Sequence, residues 1–360
     1  MNFLIVGTGA VGSYIGGRLA AGGERVRMVA RAYQREALAG KALRVTDLDG
    51  FASDVPSSEL GLATSVASAY ALLSHEERDA CVVLLCVKGG ATTAAATEIA
   101  ACTNPGTTII SLQNGVENVA RILAVAPKLQ VLAGTVPYNV GIKTTDAGLH
   151  VHRGVVGNIS FGAGSQSAEI ATHFKAAGLG CRVVQDMKAM QWGKLLINLN
   201  NPINALASVS LREEFMDRNF RVVWASLQRE GMRALALEGI EPAQLTAVHA
   251  KRFPFILSLP NFIFKRVAAK MLRVDSVARA LDQEKGGRPV WEYHHPRNGC
   301  LMSGFRRCFD PVNAPDDKFI AQWNQRARPV ISDALVEAGA KAICQVDGDC
   351  DNCVKMCSKT

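Results

Sequence analysis

The segment Phe3-Leu-Ile-Val-Gly7-Thr-Gly9-Ala-Val-Gly12 decides the fold of the N-terminal part of this chain. Its apolar residues predict a buried strand, and the glycines have the G-x-G-x-x-G spacing that opens a helix in dinucleotide-binding proteins. Gly7 permits a tight turn, Gly9 lets backbone N–H groups approach a pyrophosphate, and Gly12 lets helix and strand pack closely. The helix N-terminus adds positive potential for phosphates. The alternative is a purely structural turn, but we predict a cofactor-binding loop formed by Gly7, Thr8, Gly9, Ala10, Val11 and Gly12.

The pattern of the chain changes at about residue 185. Short apolar runs alternate with helical segments before this point, which is typical of a parallel sheet covered by helices. Long helical periodicities with little strand character follow it. We therefore predict an α/β fold with a Rossmann-like, mostly parallel sheet domain in residues 1–186. An all-helical domain in residues 187–343 and a flexible, cysteine-containing tail in residues 344–360 complete the prediction.

Individual elements follow from the same pattern. The predicted strands of the first domain are residues 3–6, 26–29, 81–87, 108–112 and 182–184. The run Cys-Val-Val-Leu-Leu-Cys-Val at 81–87 has no polar alternation, as expected for a strand buried on both faces. The clearest predicted helices of the second domain are residues 215–237, 243–249 and 262–272.

The composition argues against several classes of protein. The chain has 360 residues, 48% hydrophobic and 20% charged, which is close to the globular average and long enough for two domains. No stretch is apolar enough to cross a membrane and the N-terminus lacks signal-peptide features, so we expect a cytoplasmic protein. The net charge of +8 comes from scattered basic residues, and only 6% of the residues are aromatic. These features argue against nucleic-acid binding and favour small anionic ligands.

Ten cysteines raise the question of disulfides and metal sites. Those in apolar segments, such as Cys81 and Cys86, act as small hydrophobic residues and are expected to be reduced. The tail carries Cys350, Cys353 and Cys357, with a single C-x-x-C pair and no nearby histidine. We predict no metal in this tail, a metal site being the alternative.

The end of the second predicted strand, Met28-Val29-Ala30-Arg31, indicates which nicotinamide cofactor binds. Enzymes that use NAD usually place an acidic residue there against the ribose diol, and none is present. Arg31, with Arg35 one helical turn later, could instead bind a 2′-phosphate through charge-assisted hydrogen bonds. We predict NADP(H) as the cofactor, the alternative being two solvated arginines.

Polar residues follow two further predicted strands. Lys88 comes after the strand at 81–87, and Asn114 lies in Gln113-Asn114-Gly115 after the strand at 108–112. Open α/β sheets bind ligands at the carboxyl ends of their strands, so both residues are candidates for contacts with the cofactor ribose or the substrate. The alternative is that they only cap helices.

The segment Trp192-Gly-Lys194-Leu-Leu-Ile-Asn198-Leu-Asn-Asn201-Pro202 contains the predicted catalytic group. Lys194, Asn198 and Asn201 stand at i, i+4 and i+7 and share one face of a predicted helix that is otherwise apolar. Buried lysine and asparagine side chains need hydrogen-bond partners, which a ligand carboxylate and carbonyl would supply. Hydride transfer to a ketone develops alkoxide character, so a lysine with a lowered pKa can donate the proton. The alternative is a buried polar network that joins the two domains.

These motifs, in this order, resemble the ketopantoate reductase family over nearly the whole chain. The resemblance implies an N-terminal Rossmann domain that binds NADPH and a helical C-terminal domain that closes over the substrate. It implies Lys194 as the general acid and Asn198 and Asn201 as ligands of substrate hydroxyl or carboxylate groups. Lys88 and Asn114 are then expected to position the cofactor and the substrate.

A later segment departs from the pattern of the family. The family has Arg-Pro followed by a substrate-binding glutamate, preceded by a substrate-binding serine. Here Arg288-Pro289-Val-Trp-Glu292 keeps the first part, and Glu292 is the nearest match to the glutamate, while Ser276 is a weak match to the serine. His294 and His295 on this polar stretch are expected to be exposed and not catalytic.

The resemblance implies reduction of a small 2-oxo acid to the 2-hydroxy acid, most directly 2-dehydropantoate to pantoate in pantothenate biosynthesis. One alternative is another 2-oxo or 3-hydroxy acid dehydrogenase of similar architecture. Another is a non-catalytic NADPH-binding sensor, which the altered segment 276–299 permits. We expect no nucleic-acid partner, no membrane and no metal, and a homodimer is left open as the assembly.

Overall fold

The computed structural model describes residues 1–207, 211–245 and 248–268. Within these residues the chain forms two compact units, which divide after Leu195. The predicted helical domain beyond residue 268 and the predicted tail at 344–360 lie outside the described residues. The described parts of the two units are residues 1–195 and residues 196–268.

Twelve strands lie in the described residues, all of them in the first unit. They are β1 Asn2–Val6, β2 Arg25–Val29, β3 Ala42–Asp47, β4 Ala52–Pro56, β5 Leu62–Ala63, β6 Cys81–Leu85, β7 Thr108–Ser111, β8 Gln130–Thr135, β9 Val140–Thr145, β10 Gly148–Arg153, β11 Ile159–Gly162 and β12 Cys181–Val184. The five predicted strands are all present. Their ends agree with the prediction within one residue, except that β6 ends at Leu85 rather than at residue 87.

Helices lie between these strands and after the last of them, where α8 continues past Leu195 into the second unit. They are α1 Ala10–Ala21, α2 Ala32–Leu38, α3 Val66–Ala71, α4 His75–Asp79, α5 Thr92–Cys102, α6 Asn118–Val125, α7 Ser167–Ala176 and α8 Met187–Asn198. Two single 3₁₀ turns, Ser57–Glu59 and Gly89–Ala91, complete the set.

The larger sheet has eight strands in the order β12-β11-β8-β7-β6-β1-β2-β5. All neighbouring strands are parallel except β8 and β11. Val6 at the end of β1 pairs with Val29 of β2 on one side and with Leu85 of β6 on the other, so these carboxyl ends lie at one edge. The chain order reverses between β2–β1 and β6, and open α/β sheets bind ligands at such a point. The predicted α/β fold with a Rossmann-like, mostly parallel sheet is confirmed.

A second sheet of four strands, in the order β4-β3-β10-β9, was not predicted. Its strands β3 and β10 are parallel, and the two outer pairs are antiparallel. Helix α1 lies between the two sheets, and glycines on α1 make the close approach possible. A Cβ on Gly16 would lie 3.1 Å from Ile5 of the large sheet, and a Cβ on Gly17 would lie 2.5 Å from Val45 of the small sheet. Both sheets therefore fix the position of α1 and of the glycine turn before it.

The second unit is helical in its described residues. Its helices are α9 Asn200–Ala207, α10 Leu211–Met216, α11 Arg218–Leu237, α12 Phe253–Leu257 and α13 Asn261–Ala268. Trp224 of α11 packs edge-on against Phe253 and Phe215, and Phe264 joins this core. The fully buried Arg221 donates to the carbonyls of Phe215, Leu257 and Leu259 and to the Asn261 side chain. One guanidinium thus holds α10, α11 and the start of α13 together.

Two helix predictions for this unit need correction. The predicted helix at 215–237 is divided at Asp217, whose side chain accepts a hydrogen bond from Asn219 N at 2.7 Å and starts α11. The helix predicted at 243–249 is wrong, because residues 243–245 and 248–249 are not helical. Seven residues are too few to nucleate a helix without a well-packed apolar face, and Leu245 is exposed. Of the helix predicted at 262–272, the residues up to 268 are helical and the rest lie outside the described residues.

Candidate active site

The glycine turn after β1 has the geometry that dinucleotide binding requires. Gly7 has φ +101°, and a Cβ there would lie 2.6 Å from the Val87 backbone nitrogen. A Cβ on Gly12 would lie 2.1 Å from the Gly7 carbonyl oxygen, so both positions require glycine. Gly9 differs, because a Cβ there would meet nothing within 4 Å. The space over Gly9 is therefore open at the N-terminus of α1, where a pyrophosphate would fit.

The N-terminus of α1 offers free backbone donors to this space. The first intrahelical bond runs from Ser13 N to the Gly9 carbonyl at 2.9 Å. The backbone N–H groups of Ala10, Val11 and Gly12 precede that bond and have no intrahelical acceptor. The positive end of the helix dipole lies at the same place. Backbone, rather than side chains, would hold the phosphates.

Gln34, a residue that sequence reasoning missed, ties the glycine turn to the start of α2. Its side chain is 2% exposed. Its Oε1 accepts from the Thr8 hydroxyl at 2.6 Å and from Arg31 N at 3.3 Å, and its Nε2 donates to the Thr8 carbonyl. Thr8 is thus part of the glycine turn and also ties this turn to α2 through Gln34. The signal was weak, because a single glutamine in a short amphipathic helix is usually a solvated residue.

Arg31 and Lys88 form a region of positive charge at the same edge of the sheet. Partial desolvation and, secondly, the positive charge of Arg31 lower the pKa of Lys88. Neither side chain forms an ion pair with the residues that the structure describes, and both are exposed. Arg35, one turn after Arg31, has a buried Nε without a hydrogen-bond partner in the described residues. Two like charges without a bound carboxylate suit an anionic group such as a ribose phosphate.

Asn114 follows β7 and is held by a buried network of polar side chains. Gln113 Nε2 donates to the Val87 carbonyl at 2.9 Å and to the Thr92 hydroxyl at 2.8 Å. Asn118 Nδ2 donates to the Asn114 carbonyl at 2.9 Å. The network joins the loops after β6 and β7, and the Asn114 side chain remains exposed at this edge. The sequence placed Asn114 correctly after a strand, but the supporting roles of Gln113, Thr92 and Asn118 were not predicted.

Lys194 lies on α8 and faces the loop that follows β8. Its Nζ donates to the Val136 carbonyl, and burial lowers the pKa of this amine to about 8. Gln191, one turn earlier, donates from Nε2 to the Gly115 carbonyl at 3.4 Å. The first part of α8 therefore contacts the loops after β7 and β8, the same edge at which the glycine turn follows β1. Val136 could not be found from the sequence, since its contribution is a backbone carbonyl.

Lys194 and Asn198 lie on the same helix, α8, as predicted, but Asn201 lies on the next one, which corrects the predicted i, i+4, i+7 ridge. Helix α8 ends at Asn198, Leu199 forms a turn, and α9 begins at Asn200. The reason is Pro202, which cannot donate a backbone hydrogen bond to residue 198 and whose ring would collide with that carbonyl. Proline is tolerated in the first turn of a new helix, where it stands here. Asn198 and Asn201 are each partly buried.

Several predicted residues lie outside the described residues. They are Glu292, Ser276, the pair His294 and His295, and the tail cysteines Cys350, Cys353 and Cys357. Within the described part, no group of three or more His, Cys, Asp or Glu side chains is arranged to hold a metal ion. No helix there has both the length and the apolar character to cross a membrane.

The sheet order, the glycine turn and the open helix N-terminus define a dinucleotide-binding domain of the Rossmann class. Residues 3–166 match the model of the family described as ketopantoate reductase PanE/ApbA. Proteins named 2-dehydropantoate 2-reductase from Archaeoglobus fulgidus and Halobacterium salinarum are 29% and 27% identical to this chain. These alignments cover 66% and 70% of this chain, and 74% and 80% of the two relatives.

A solved structure has the same fold. The crystal structure of a PanE/ApbA family ketopantoate reductase from Ralstonia eutropha superposes with a TM-score of 0.60 at 23% identity, and covers 79% of this chain and 86% of that one. Over residues 3–166 the chain is therefore similar to the ketopantoate reductase family, and its curated relatives extend the similarity over about two thirds of the chain. The names of these relatives, together with the glycine turn, indicate an oxidoreductase like 2-dehydropantoate 2-reductase with a nicotinamide cofactor.

Proposed function

We propose that this protein uses NADPH to reduce a small 2-oxo acid, and that the substrate is 2-dehydropantoate, which becomes pantoate. The observation that carries the proposal is the partly buried amine of Lys194, which donates to the Val136 carbonyl at the edge where the parallel strands end and whose pKa is lowered to about 8. Such an amine is still mostly protonated at neutral pH, yet it gives up its proton more readily than an exposed lysine. The names of the relatives support the choice of substrate.

The residues of the chain supply the proton and the orientation. When bound, NADPH supplies the hydride. Lys194 Nζ donates a proton to the keto oxygen as negative charge develops there, and the neutral amine later regains a proton from solvent. The Val136 carbonyl accepts one N–H of the ammonium and fixes its direction, which leaves the other two N–H groups for the keto oxygen.

The preference for NADPH over NADH is assigned to Arg31 and Lys88. Both are cations without an ion-pair partner in the described residues, and the charge of Arg31 already acts on Lys88. A 2′-phosphate between them would relieve this repulsion and gain charge-assisted hydrogen bonds. Gly7, Thr8, Gly9, Ala10, Val11 and Gly12 would hold the pyrophosphate, and Asn114 would contact the nicotinamide ribose or the substrate.

Substrate binding is assigned to Asn114, Asn198, Asn201 and Glu292. Amide groups both donate and accept, so the asparagines suit the hydroxyl and carboxylate groups of a hydroxy-oxo acid. Glu292 is included on the sequence pattern alone. We also propose that the protein works in pantothenate biosynthesis in the cytoplasm, and light scattering of the purified protein would decide whether it is a homodimer.

A panel of 2-oxo acids, assayed with NADPH and NADH in parallel, tests the proposal. Wild-type protein should oxidise NADPH with 2-dehydropantoate faster than with the other 2-oxo acids. Lys194→Ala should lower kcat by about 10²- to 10⁴-fold, the usual contribution of a general acid. Lys188→Ala is the matched control, because Lys188 is exposed on the first turn of the same helix.

Two outcomes would contradict the proposal. Lys194→Ala with wild-type turnover would remove the general acid from the mechanism. Wild-type protein that binds NADPH tightly but turns over none of the 2-oxo acids would favour the NADPH sensor instead. Activity with a different 2-oxo acid would keep the chemistry and replace the substrate.

A further inference from the structure

The Val136 carbonyl, which receives the hydrogen bond from Lys194, belongs to the short loop of residues 136–139, in which Val136 and Tyr138 are buried while Pro137 and Asn139 are exposed. Val136 is 4% exposed and Tyr138 is 6% exposed. Gly157 approaches the loop from the next connection so closely that a Cβ there would lie 2.6 Å from Pro137 Cγ. Gly154 N donates to the Asn139 carbonyl at 3.3 Å. The carbonyl is therefore part of a packed loop rather than of a solvated turn.

Tyr138 holds this loop through its ring and not through its hydroxyl. The ring packs edge-on against Tyr14 of α1, with centroids 5.8 Å apart and planes at 78°. The guanidinium carbon of Arg153 lies 5.6 Å from the centre of the Tyr138 ring. The Tyr138 hydroxyl is buried and has no hydrogen-bond partner in the described residues. The contacts of Tyr138 are thus those that a phenylalanine could also make.

The two groups against which Tyr138 packs are themselves fixed by a buried ionic cluster. Arg153 Nε donates to the Tyr14 hydroxyl at 3.0 Å, and its NH2 lies 3.1 Å from Asp47 Oδ2. Arg18 NH1 donates to the same Asp47 oxygen at 2.9 Å, and Arg153 also pairs with Asp49. Burial would raise the pKa of Asp47, but hydrogen bonds from Phe51, Arg153 and Asp49 outweigh it and hold the pKa below its usual range. This cluster stays charged at neutral pH and cannot easily move.

We propose that Tyr138 is a positioning residue for Lys194: its ring, wedged between Tyr14 and Arg153, fixes the Val136 carbonyl that directs the amine. This inference rests on the proposed role of Lys194 as the general acid. It links the helix that begins at the glycine turn, through Tyr14, to the group that supplies the proton. A displacement of about 1 Å in such a group can cost ~10²-fold in rate.

The ionisation of Lys194 provides a readout that a merely structural role would not change. Other ionisable groups on the elements packed here are Lys188 on α8, Tyr138 on the loop at 136–139 and Glu117 after β7, and burial rather than a neighbouring charge lowers the pKa of Lys194. If the loop at 136–139 loosens, water reaches the amine and its pKa rises toward the ordinary lysine value. The basic limb of the pH–kcat profile, near pH 8 in the wild type, should then move to higher pH.

The experiment compares Tyr138→Ala, Tyr138→Leu and Tyr138→Phe in the full chain. NADPH oxidation is measured from pH 6 to 10, and the Lys194 pKa is measured by NMR of the lysine Cε carbons in ¹³C-labelled protein, assigned with Lys194→Arg. Tyr138→Ala should lower kcat by about 10- to 100-fold and raise the pKa. Tyr138→Phe should restore both values. Tyr138→Leu keeps apolar volume without the ring, and replaces the alanine variant if that protein does not fold.

Tyr70→Ala is the matched control for general loss of stability. Tyr70 is 4% exposed, but its hydroxyl accepts from Asn104 N at the opposite edge of the sheet. This variant should lose stability without a change in the pKa of Lys194. The inference is overturned if Tyr138→Ala or Tyr138→Leu leaves the pKa and kcat unchanged, if Tyr138→Phe fails to restore them, or if Tyr70→Ala shifts the pKa equally. Loss of the proposed function has a different signature, which is turnover that survives Lys194→Ala.

Discussion

Glu214 of α10 is a buried carboxyl group whose hydrogen-bond partners are amide side chains. The residue is 2% exposed, and its Oε2 accepts from Asn204 Nδ2 of α9 at 2.7 Å. Burial raises its pKa to about 7, and hydrogen bonds from Asn204 and Asn200 oppose this shift without cancelling it. A group of this kind makes the stability of the helical unit depend on pH.

The sign of that dependence follows from proton binding. Because the pKa is about 7 in the folded state and near 4.5 in the unfolded chain, the folded state binds more protons between these pH values. Stability should therefore fall as pH rises from about 4.5 to 7, by ~3 kcal/mol in all. Urea denaturation at pH 5 and pH 8 measures this, with Glu214→Gln as the matched control. Relative to Glu214→Gln, wild type should lose nearly that much stability between pH 5 and pH 8. A stability difference between the two proteins that does not change with pH would contradict the assignment.

Whether each strand or helix could be predicted from the sequence depended on how its residues are buried. The strand at β6 was predictable because all five of its residues are buried, so that it reads as a continuous apolar run. The second sheet was missed because strands such as β4 and β9 are largely exposed or half-buried and contain several polar residues, so they do not form a continuous apolar run. The break at Leu199 had a visible signal in Pro202, which the apolar periodicity of the surrounding residues outweighed.

Gly9, just before α1, and Gly17, within it, allow the effect of a substitution on stability to be measured separately from its effect on cofactor binding. A Cβ on Gly9 meets nothing within 4 Å, and its φ of −64° suits any residue. Gly9→Ala should therefore keep or slightly raise the melting temperature. It should also place a methyl group where the pyrophosphate lies and weaken NADPH binding by about tenfold or more, which corresponds to ~1.4 kcal/mol. Thermal melting and NADPH fluorescence titration measure the two effects.

Gly17→Ala is the matched control for that substitution, because it adds the same methyl group to the same helix. Its Cβ would lie 2.5 Å from Val45 Cγ2 and 2.9 Å from Leu43 Cδ2. Overpacking of this kind typically costs about 1–3 kcal/mol, so this variant should lose stability. Equal losses of stability in both variants would show that the space over Gly9 is not open.

In the molecule as a whole, several residues of the candidate site could be predicted from the sequence, but the residues that position them could not. The glycine turn, Arg31, Lys88, Asn114 and Lys194 could be picked out because their residue types have a chemistry that spacing reveals. Their supports could not be, since they are backbone carbonyls such as that of Val136 and buried polar contacts between distant segments. Those contacts exist only once the strands are side by side, and sequence spacing carries no information about them.

Cofactor binding should therefore be visible in the melting of the first unit as a whole. A ligand that binds only the folded state at 100 times its Kd stabilises it by ~2.7 kcal/mol, which for a unit of this size raises the melting temperature by about 5–10 °C. NADPH should produce this shift, and NADH at the same concentration a smaller one, because only NADPH carries the phosphate for Arg31 and Lys88. Arg31→Ala should bring the two shifts together, whereas Arg182→Ala, which removes an exposed arginine from β12, should leave them apart. Equal shifts with the two cofactors in the wild type would contradict the assignment of NADPH, while leaving the glycine turn as the binding site.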